Sequence, residues 1–577
     1  MESVRTFLFI LLAFLTFLLY QEWQKEHAPV KVEKAPIETS VESYQPTSDD
    51  PLQDNLQLVE ETSTSDDLSA QLPDEAKQED KIQQQPSNLA PIIVTTDTLK
   101  VVISPAGGNF VSAELLNYKE TLDDDSQPIN ILENRNGRVF LALSGLYGAG
   151  APDFNKNVAK YTSIQSNYTL SADSEESLEV DLHWVNEEGV EYIKRFIFNN
   201  GQYVIGVDYI VNNVTDKKIT NRMFTALKRD TGEVDGQEQS GLGMRSYIGP
   251  AYYTAEDKYN KYEFEDLQEA DLNKTTREGW VAILQHYFVT AWVPASGSSN
   301  VIDTKSTNLG KAGLTQIRIT QDWVTISPGE TQNFSAKLYV GPKIQSDLEE
   351  LSEGLDLTVD YGFLWWIGQP IFYLLILFQS FTINWGLAII LVTLAIKTLL
   401  YPLARAQYRS FAKMRLLQPK MTAMKEQYGD DKQKFSMKMM ELYKKEKVNP
   451  LGGCFPLLIQ MPVFLALYWV LMESVELRHA PFILWIDDMS VMDPYYVMPL
   501  LMGASMYLMQ KMQPVSPTMD PMQQKMLQMM PVFMTVFFVF FPAGLVLYWL
   551  FNNLISIAQQ LYITKQFNNE IEAKKKT

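Results

Sequence analysis

A chain of 577 residues with 49 Lys plus Arg against 69 Asp plus Glu carries a formal net charge of −20, which argues against sequence-specific nucleic acid binding. The average conceals two opposite parts: residues 1–358 hold 29 basic and 55 acidic side chains, residues 359–577 hold 20 and 14, and 21 of the 24 methionines lie beyond residue 400. Long uncharged runs in the second part exclude a purely soluble protein, the single Cys454 excludes an intramolecular disulfide, and four scattered histidines (His27, His183, His286, His479) leave no metal site.

Residues 1–20 contain fifteen uncharged, mostly apolar residues, Thr6 to Tyr20, behind Arg5. They suit either a signal core or an N-terminal transmembrane anchor. The following Gln21-Glu22-Trp23-Gln24 has no small-x-small cleavage site, which favours an uncleaved anchor with its N-terminus inside. Residues 21–90 are acidic and rich in Pro, Ser, Thr and Gln, and from Ala28 to Ala90 they hold one aromatic, Tyr44, so they read as a flexible linker.

From 91 to 345 the period changes to two. Tyr203, Ile205, Val207, Tyr209 and Val211 alternate with polar neighbours and follow an Asn199-Asn200-Gly201 turn, the signature of a β-hairpin. Similar alternation at Ile317 and Ile319 predicts an antiparallel sandwich on the outer side of the membrane. It contains no phosphate loop, nucleophile elbow or His-Glu-x-x-His pattern.

Residues 346–383 are expected to form connecting and interfacial helices. The 36 residues from Tyr361 to Ile396 carry no charge and by hydropathy alone could nearly cross twice. The next loop, 404–450, holds twelve Lys or Arg and five acids and is therefore cytoplasmic, so an outside domain reaches it by one crossing. Tyr361–Phe381 is accordingly laid in the outer interface, and 384–403 crosses as the second span. Further spans are expected at 451–474, 494–510, 523–541 and 545–563. Between them lie an outer loop at 475–493, an inner loop at 511–522 and a basic inner tail at 564–577. The fold class is a multi-domain membrane protein, an all-β sandwich plus an α-helical bundle of six spans, five forming its core, with both termini inside.

Lys397 is the one charge within the second span, where burial costs roughly 2.5 to 3.5 kcal/mol. It either snorkels to the inner headgroups or faces a hydrated cavity between helices. Gln460, Gln528, Asn552, Asn553, Ser556 and Gln559 on other spans favour the cavity, although amides in spans also simply link helices. In the cytoplasmic loop, helical spacing of Phe411, Met414, Leu417, Met421, Met424 and Tyr428, a Gly429-Asp430-Asp431 break, and then Phe435, Met439 and Leu442 predict a helical hairpin. The stripe suits a seam between the two helices better than a binding face. The loop's basic side chains, Arg405, Arg409, Lys413, Arg415, Lys432, Lys434 and Lys438 among them, suit anionic lipids or ribosomal RNA.

Five segments resemble the core of the YidC membrane protein insertases in their long Gram-negative form. They are Tyr401-Pro402-Leu403 with Ala-Gln-Tyr following, VNPLGGCFPLLIQMPVFLALYW from Val448, DPYY from Asp493, DPMQQK from Asp520, and FPAGLVLYW from Phe541. The resemblance implies a bacterial inner-membrane location, a periplasmic β-supersandwich, and a hydrophilic groove open to cytoplasm and lipid. It implies a chaperone and insertase activity with no cofactor, no metal and no catalytic residue. The partners it implies are nascent inner-membrane proteins, the Sec translocon and the ribosome. Aligned with the family, Lys397 stands where arginine is usual, and a lysine offers a point charge in place of a bidentate fork. Thr393, Met461, Phe464 and Trp549 match substrate-contacting positions. A secondary transporter would show repeated halves, and the five core spans show none; a tethered sugar enzyme would need paired carboxylates at a fixed separation in the sandwich, which a sequence does not display, so that alternative stays open.

Overall fold

The computed structural model describes residues 90–576 except 136–137, 154–157, 233–245, 265, 270, 308–312, 429–430, 447–454 and 514–520. The expected anchor at 1–20, nearly all of the linker, Cys454, the side chain of Lys432 and most of the 511–522 loop therefore lie outside the described residues. The chain forms two compact units. One contains Pro370–Tyr468 and the part from Pro481 onward; the other contains the residues up to Gln369 together with Trp469–Ala480.

The second unit is a sandwich of an eleven-stranded and a nine-stranded sheet among the described residues. The expected hairpin is there: Glu191–Phe198 pairs antiparallel with Val204–Asn212, Phe198 opposite Ile205, and Gly201 takes φ +71° in the turn, a region that L side chains rarely adopt. Ile205, Val207, Tyr209 and Val211 are each 0% exposed, as the period of two requires. One pair departs from the antiparallel expectation: Ile92–Thr95 lies parallel to Asn167–Thr169. The two sheets are joined by large aromatics whose polar tips are satisfied. Trp292 is fully buried, its indole N–H donating to the Ala226 carbonyl at 3.1 Å, and the Tyr209 hydroxyl donates to the Ser144 carbonyl at 2.8 Å.

The unit also extends beyond the expected 91–345 boundary. It takes in the short helix Gln345–Leu351 and the distant stretch Trp469–Ala480. His286 reaches that stretch, its Nε2 lying 2.9 Å from the Met472 carbonyl, which can only accept, so Nε2 carries the proton. Burial, with Lys343 adding to it, pushes the His286 imidazole down from 6.5 to about 4. Above about pH 6.5 this neutral histidine costs nothing in either state. As pH falls toward about 4, the unfolded chain binds the proton first and stability is lost, by at most about 3 kcal/mol. Burial pushes Glu476 up to about 7, and its contribution has the opposite sign over an overlapping window. The informative quantity is thus a difference: His286→Asn should flatten the acid-side decline of domain melting relative to wild type, and parallel pH profiles would refute this titration.

The helical elements are α1 (Trp365–Thr382), α2 (Trp385–Leu399), α3 (Tyr401–Tyr428), α4 (Lys432–Lys445), α5 (Phe455–Glu473), α6 (Val497–Lys511), α7 (Pro521–Phe538) and α8 (Ala543–Lys576). Asn384 caps α2, its side chain accepting from the Leu387 N–H at 3.0 Å. The span expected at 384–403 ends early, because the chain bends by 68° between α2 and α3. Pro402 explains the break: it has no N–H to donate back, and its ring would collide with the carbonyl four residues earlier.

By length and composition, one described helix, Gly362–Thr382, could cross a membrane, and the bent α2–α3 pair would make a second. Gly362–Thr382 overlaps the segment that charge parity in the sequence assigns to the interface, and the described helices do not by themselves give six spans. The tail expected at 564–577 continues α8, which runs unbroken to Lys576. The motif residues shape turns. Asp493 is 1% exposed and accepts from the Met498 N–H at 2.7 Å and from the Trp485 indole at 3.0 Å, while the Ala543 and Gly544 N–H groups donate to the Val491 and Met489 carbonyls. A Cβ on Gly503 would lie 1.8 Å from the Thr535 hydroxyl, so glycine permits the close approach of α6 and α7.

Candidate functional site

The helical unit gathers polar side chains from α5 and α8 around one ammonium carried by α2. Lys397, on the last turn of α2, is 8% exposed, and its Nζ donates to Ser556 Oγ on α8 at 2.8 Å and lies 3.5 Å from Gln460 Oε1 on α5. Gln460 in turn donates to Asn552 Oδ1 at 2.8 Å, and the Gln559 amide donates to the Lys397 carbonyl at 3.3 Å. Helical spacing makes this possible: Asn552, Ser556 and Gln559 recur at four and three residues and so share one stripe of α8. Among the described residues no carboxylate pairs with Lys397. An ammonium has three N–H donors, and among the described residues two side-chain oxygens lie within 3.5 Å of it, while the buried Gln559 Oε1 has no protein partner. Buried polar atoms in that condition call for water or a bound polar group.

Several of these residues stand out in the sequence and others do not. Lys397, Gln460 and Asn552 come together. Thr393 is 1% exposed, but its hydroxyl is spent on its own helix, donating to the Ile389 carbonyl at 2.7 Å. Phe464 and Trp549 meet edge to face at 4.3 Å, with Phe538 5.0 Å from the Trp549 ring, so they form an aromatic layer next to the polar one. Met461 is 38% exposed. Gln528 does not join: it is exposed on α7 because the residues around it present themselves outward. Ser505 and Gln560 were missed. Ser505 Oγ accepts from the Asn553 amide at 3.0 Å, and Gln560 donates to the Met512 carbonyl at 2.9 Å. A serine beside glycine and alanine on α6 reads as a packing residue, so the sequence carried little signal for it.

The hairpin of α3 and α4 has its apolar stripe inside. Leu417, Met421, Phe435, Met439 and Leu442 form a buried cluster flanked by Met414, Met424, Tyr428 and Tyr443, which is a seam. Asp431 caps α4 by accepting from the Lys434 N–H at 3.0 Å. The basic residues divide by role. Arg409 pairs with Glu570 on α8, and Arg415 donates to the Met512 carbonyl, so both hold helices together. Lys434 and Lys438 have acidic neighbours one turn away, Asp431 at 3.6 Å and Glu441 at 2.8 Å. Lys413 is exposed, and Arg405 is half-buried with its Nε unpartnered.

The chain thus combines a large β-sandwich with apolar helices that enclose a buried cation and a wall of amides. Comparison with known proteins gives its class. Residues 91–374 match the YidC periplasmic domain and residues 377–570 the 60Kd inner membrane protein family. The chain is 48% identical over 98% of its length to the membrane protein insertase YidC of Shewanella woodyi, with 98% of that protein covered. Identity and coverage are the same for the insertase of Shewanella pealeana. The chain belongs to the YidC family of membrane protein insertases.

Proposed function

We propose that this inner-membrane insertase moves nascent membrane proteins along the polar wall around Lys397, a groove open to cytoplasm and lipid. The observation that carries the reading is the buried ammonium without a carboxylate among the described residues, set beside amides of which the Gln559 oxygen has no protein partner. Such a wall shortens the hydrocarbon path of a polar client segment. The client's apolar segment then gains about 0.8 kcal/mol for each CH₂ removed from water as it leaves for lipid, so no nucleotide is required. Thr393, Met461, Phe464 and Trp549 are the client contacts in this reading, and Gln528 would meet a client only at the outer surface of α7.

The topology that goes with it has six spans, both termini cytoplasmic and the sandwich in the periplasm, with α1 in the outer interface. Exposed Trp365 and Trp366, at 57% and 61%, suit that boundary. Lys413, Lys434 and Lys438 on the hairpin offer charge to anionic headgroups or ribosomal RNA, and the Sec translocon as a partner follows from the family alone. Single cysteines in a Cys454→Ser background test route and topology together. Cysteines at Thr393 and Trp549 should crosslink to a stalled nascent membrane protein, one at Lys425 should be labelled only from the cytoplasm, and one at Asp487 only from the periplasm. Crosslinks confined to lipid would reject the groove, and periplasmic labelling at Lys425 would mean that α1 crosses.

A further inference from the structure

The last turn of α5 and the residues after it, Trp469–Ala480, belong to the β unit although more than a hundred residues separate them from its last strand, Thr331–Pro342. Their packing is that of a core element: Ser474, Val475 and Leu477 are each 1 to 2% exposed, and Trp469 lies close enough to Gly362 that a Cβ there would sit 3.3 Å from the indole nitrogen. Three polar contacts accompany the packing. Lys343 Nζ lies 3.8 Å from Glu473 Oε2, an ion pair beyond hydrogen-bond range, with both side chains only 2 to 3% exposed. The His286 ring donates to the Met472 carbonyl, and the Arg478 guanidinium donates to the Lys119 and Glu120 carbonyls at 2.7 and 2.9 Å. Nothing in the hydropathy of the stretch announces this, since its first residues read as the end of an apolar span.

We propose that Trp469–Ala480 is an integral strap of the periplasmic domain, and that the buried Lys343–Glu473 pair is what fixes where the strap docks. The physical reason is selectivity. Apolar contacts at Val475 and Leu477 tolerate sliding, whereas the Glu473 carboxylate has Lys343 as its closest cation, the more distant Lys261 being paired with Asp360, and a shifted register separates Glu473 from Lys343 while both are buried. The pair therefore fixes the strap within the β unit, and this does not depend on the client route proposed above.

Hydrogen exchange on the full-length protein in detergent tests this. Lys343→Met and Glu473→Gln should each accelerate exchange of amides 470–480 at least about tenfold, because each leaves one buried group without its partner. Lys343→Met combined with Glu473→Leu should return exchange to within about threefold of wild type, since both charges leave together. Arg478→Ala, at the surface, should accelerate 474–480 while leaving domain melting unchanged, and it remains informative if the buried variants fail to accumulate. Wild-type exchange across 470–480 in all the single variants would overturn the proposal and leave the strap held by apolar packing alone. Faster exchange in the double variant than in either single one would overturn the role of the pair.

Discussion

Lys397→Glu is expected to lower insertion of clients with acidic extracellular tails by about ten- to a hundredfold, with clients whose tails are neutral left nearly unchanged. The sign follows from the site: the ammonium donates to Ser556 Oγ and approaches Gln460 Oε1, and no carboxylate among the described residues neutralises it. An acidic tail within about 4 Å of a unit charge gains on the order of 4 kcal/mol at an effective dielectric near 20, and reversing the charge turns that attraction into repulsion. Tenfold in insertion needs only about 1.4 kcal/mol of this. Lys397→Arg should keep the charge and the activity, and Lys397→Ala should fall between. In Lys397→Ala stability should change little, because removing a buried charge that lacks an opposite charge also removes its desolvation cost. The measurement is protease protection of the client tail at matched insertase levels. Equal insertion of acidic and neutral clients by all three variants would end the electrostatic reading of the groove.

Lys194→Met in the sandwich is expected to produce the largest loss of stability among single core substitutions, about 3–5 kcal/mol. Lys194 is 0% exposed on the strand Glu191–Phe198, and its Nζ donates to the Gly107 and Ser144 carbonyls at 3.0 Å each, the second lying in the opposite sheet. It also sits 5.0 Å from the Tyr209 ring. Burial pulls its ammonium below the ordinary lysine value and pushes the neighbouring Asp153 carboxyl above the ordinary aspartate value, and each charge partly offsets the shift of the other. Methionine fills the same volume but strands two carbonyls and the carboxylate, which still accepts the Leu146 N–H at 2.9 Å. Melting of the periplasmic domain should fall by roughly 10 °C, given about 2–4 °C per kcal/mol for a domain of this size. Lys194→Met with Asp153→Asn should recover part of the loss, since asparagine keeps an acceptor for Leu146 and removes the orphaned charge. A single variant that melts with wild type would show that the inter-sheet carbonyls find other donors.

The two cases separate what was legible in the sequence from what was not. Period-two alternation gave Tyr203 to Val211 their faces, because a strand sends alternate side chains to opposite sides whatever it packs against. Read the same way, Tyr192, Phe196 and Phe198 place Lys194 inward, but a strand pattern cannot say that carbonyls wait on the other sheet. Heptad-like spacing put Leu417 and Met421 opposite Phe435 and Met439 across a short break, because antiparallel helices joined by so few residues can bury their apolar stripes only against each other. Lys397 stood out because a charge in an apolar run is costly wherever it points.

Partners distant in sequence were decided only by the tertiary structure. Ser556 lies 159 residues from Lys397, Ser505 lies 48 from Asn553, and Gln528 shares the residue type of Gln460 yet faces outward. Local propensity and charge parity act over a turn or a loop, and they fix which segments become strands, helices and basic faces. Which buried polar atoms meet is settled when whole elements pack, since each must then find an acceptor or donor or lose its hydration uncompensated. That is why the strap at Trp469–Ala480 read as the end of a span, and why Glu473 found its cation at Lys343, just past the end of the sandwich's last strand.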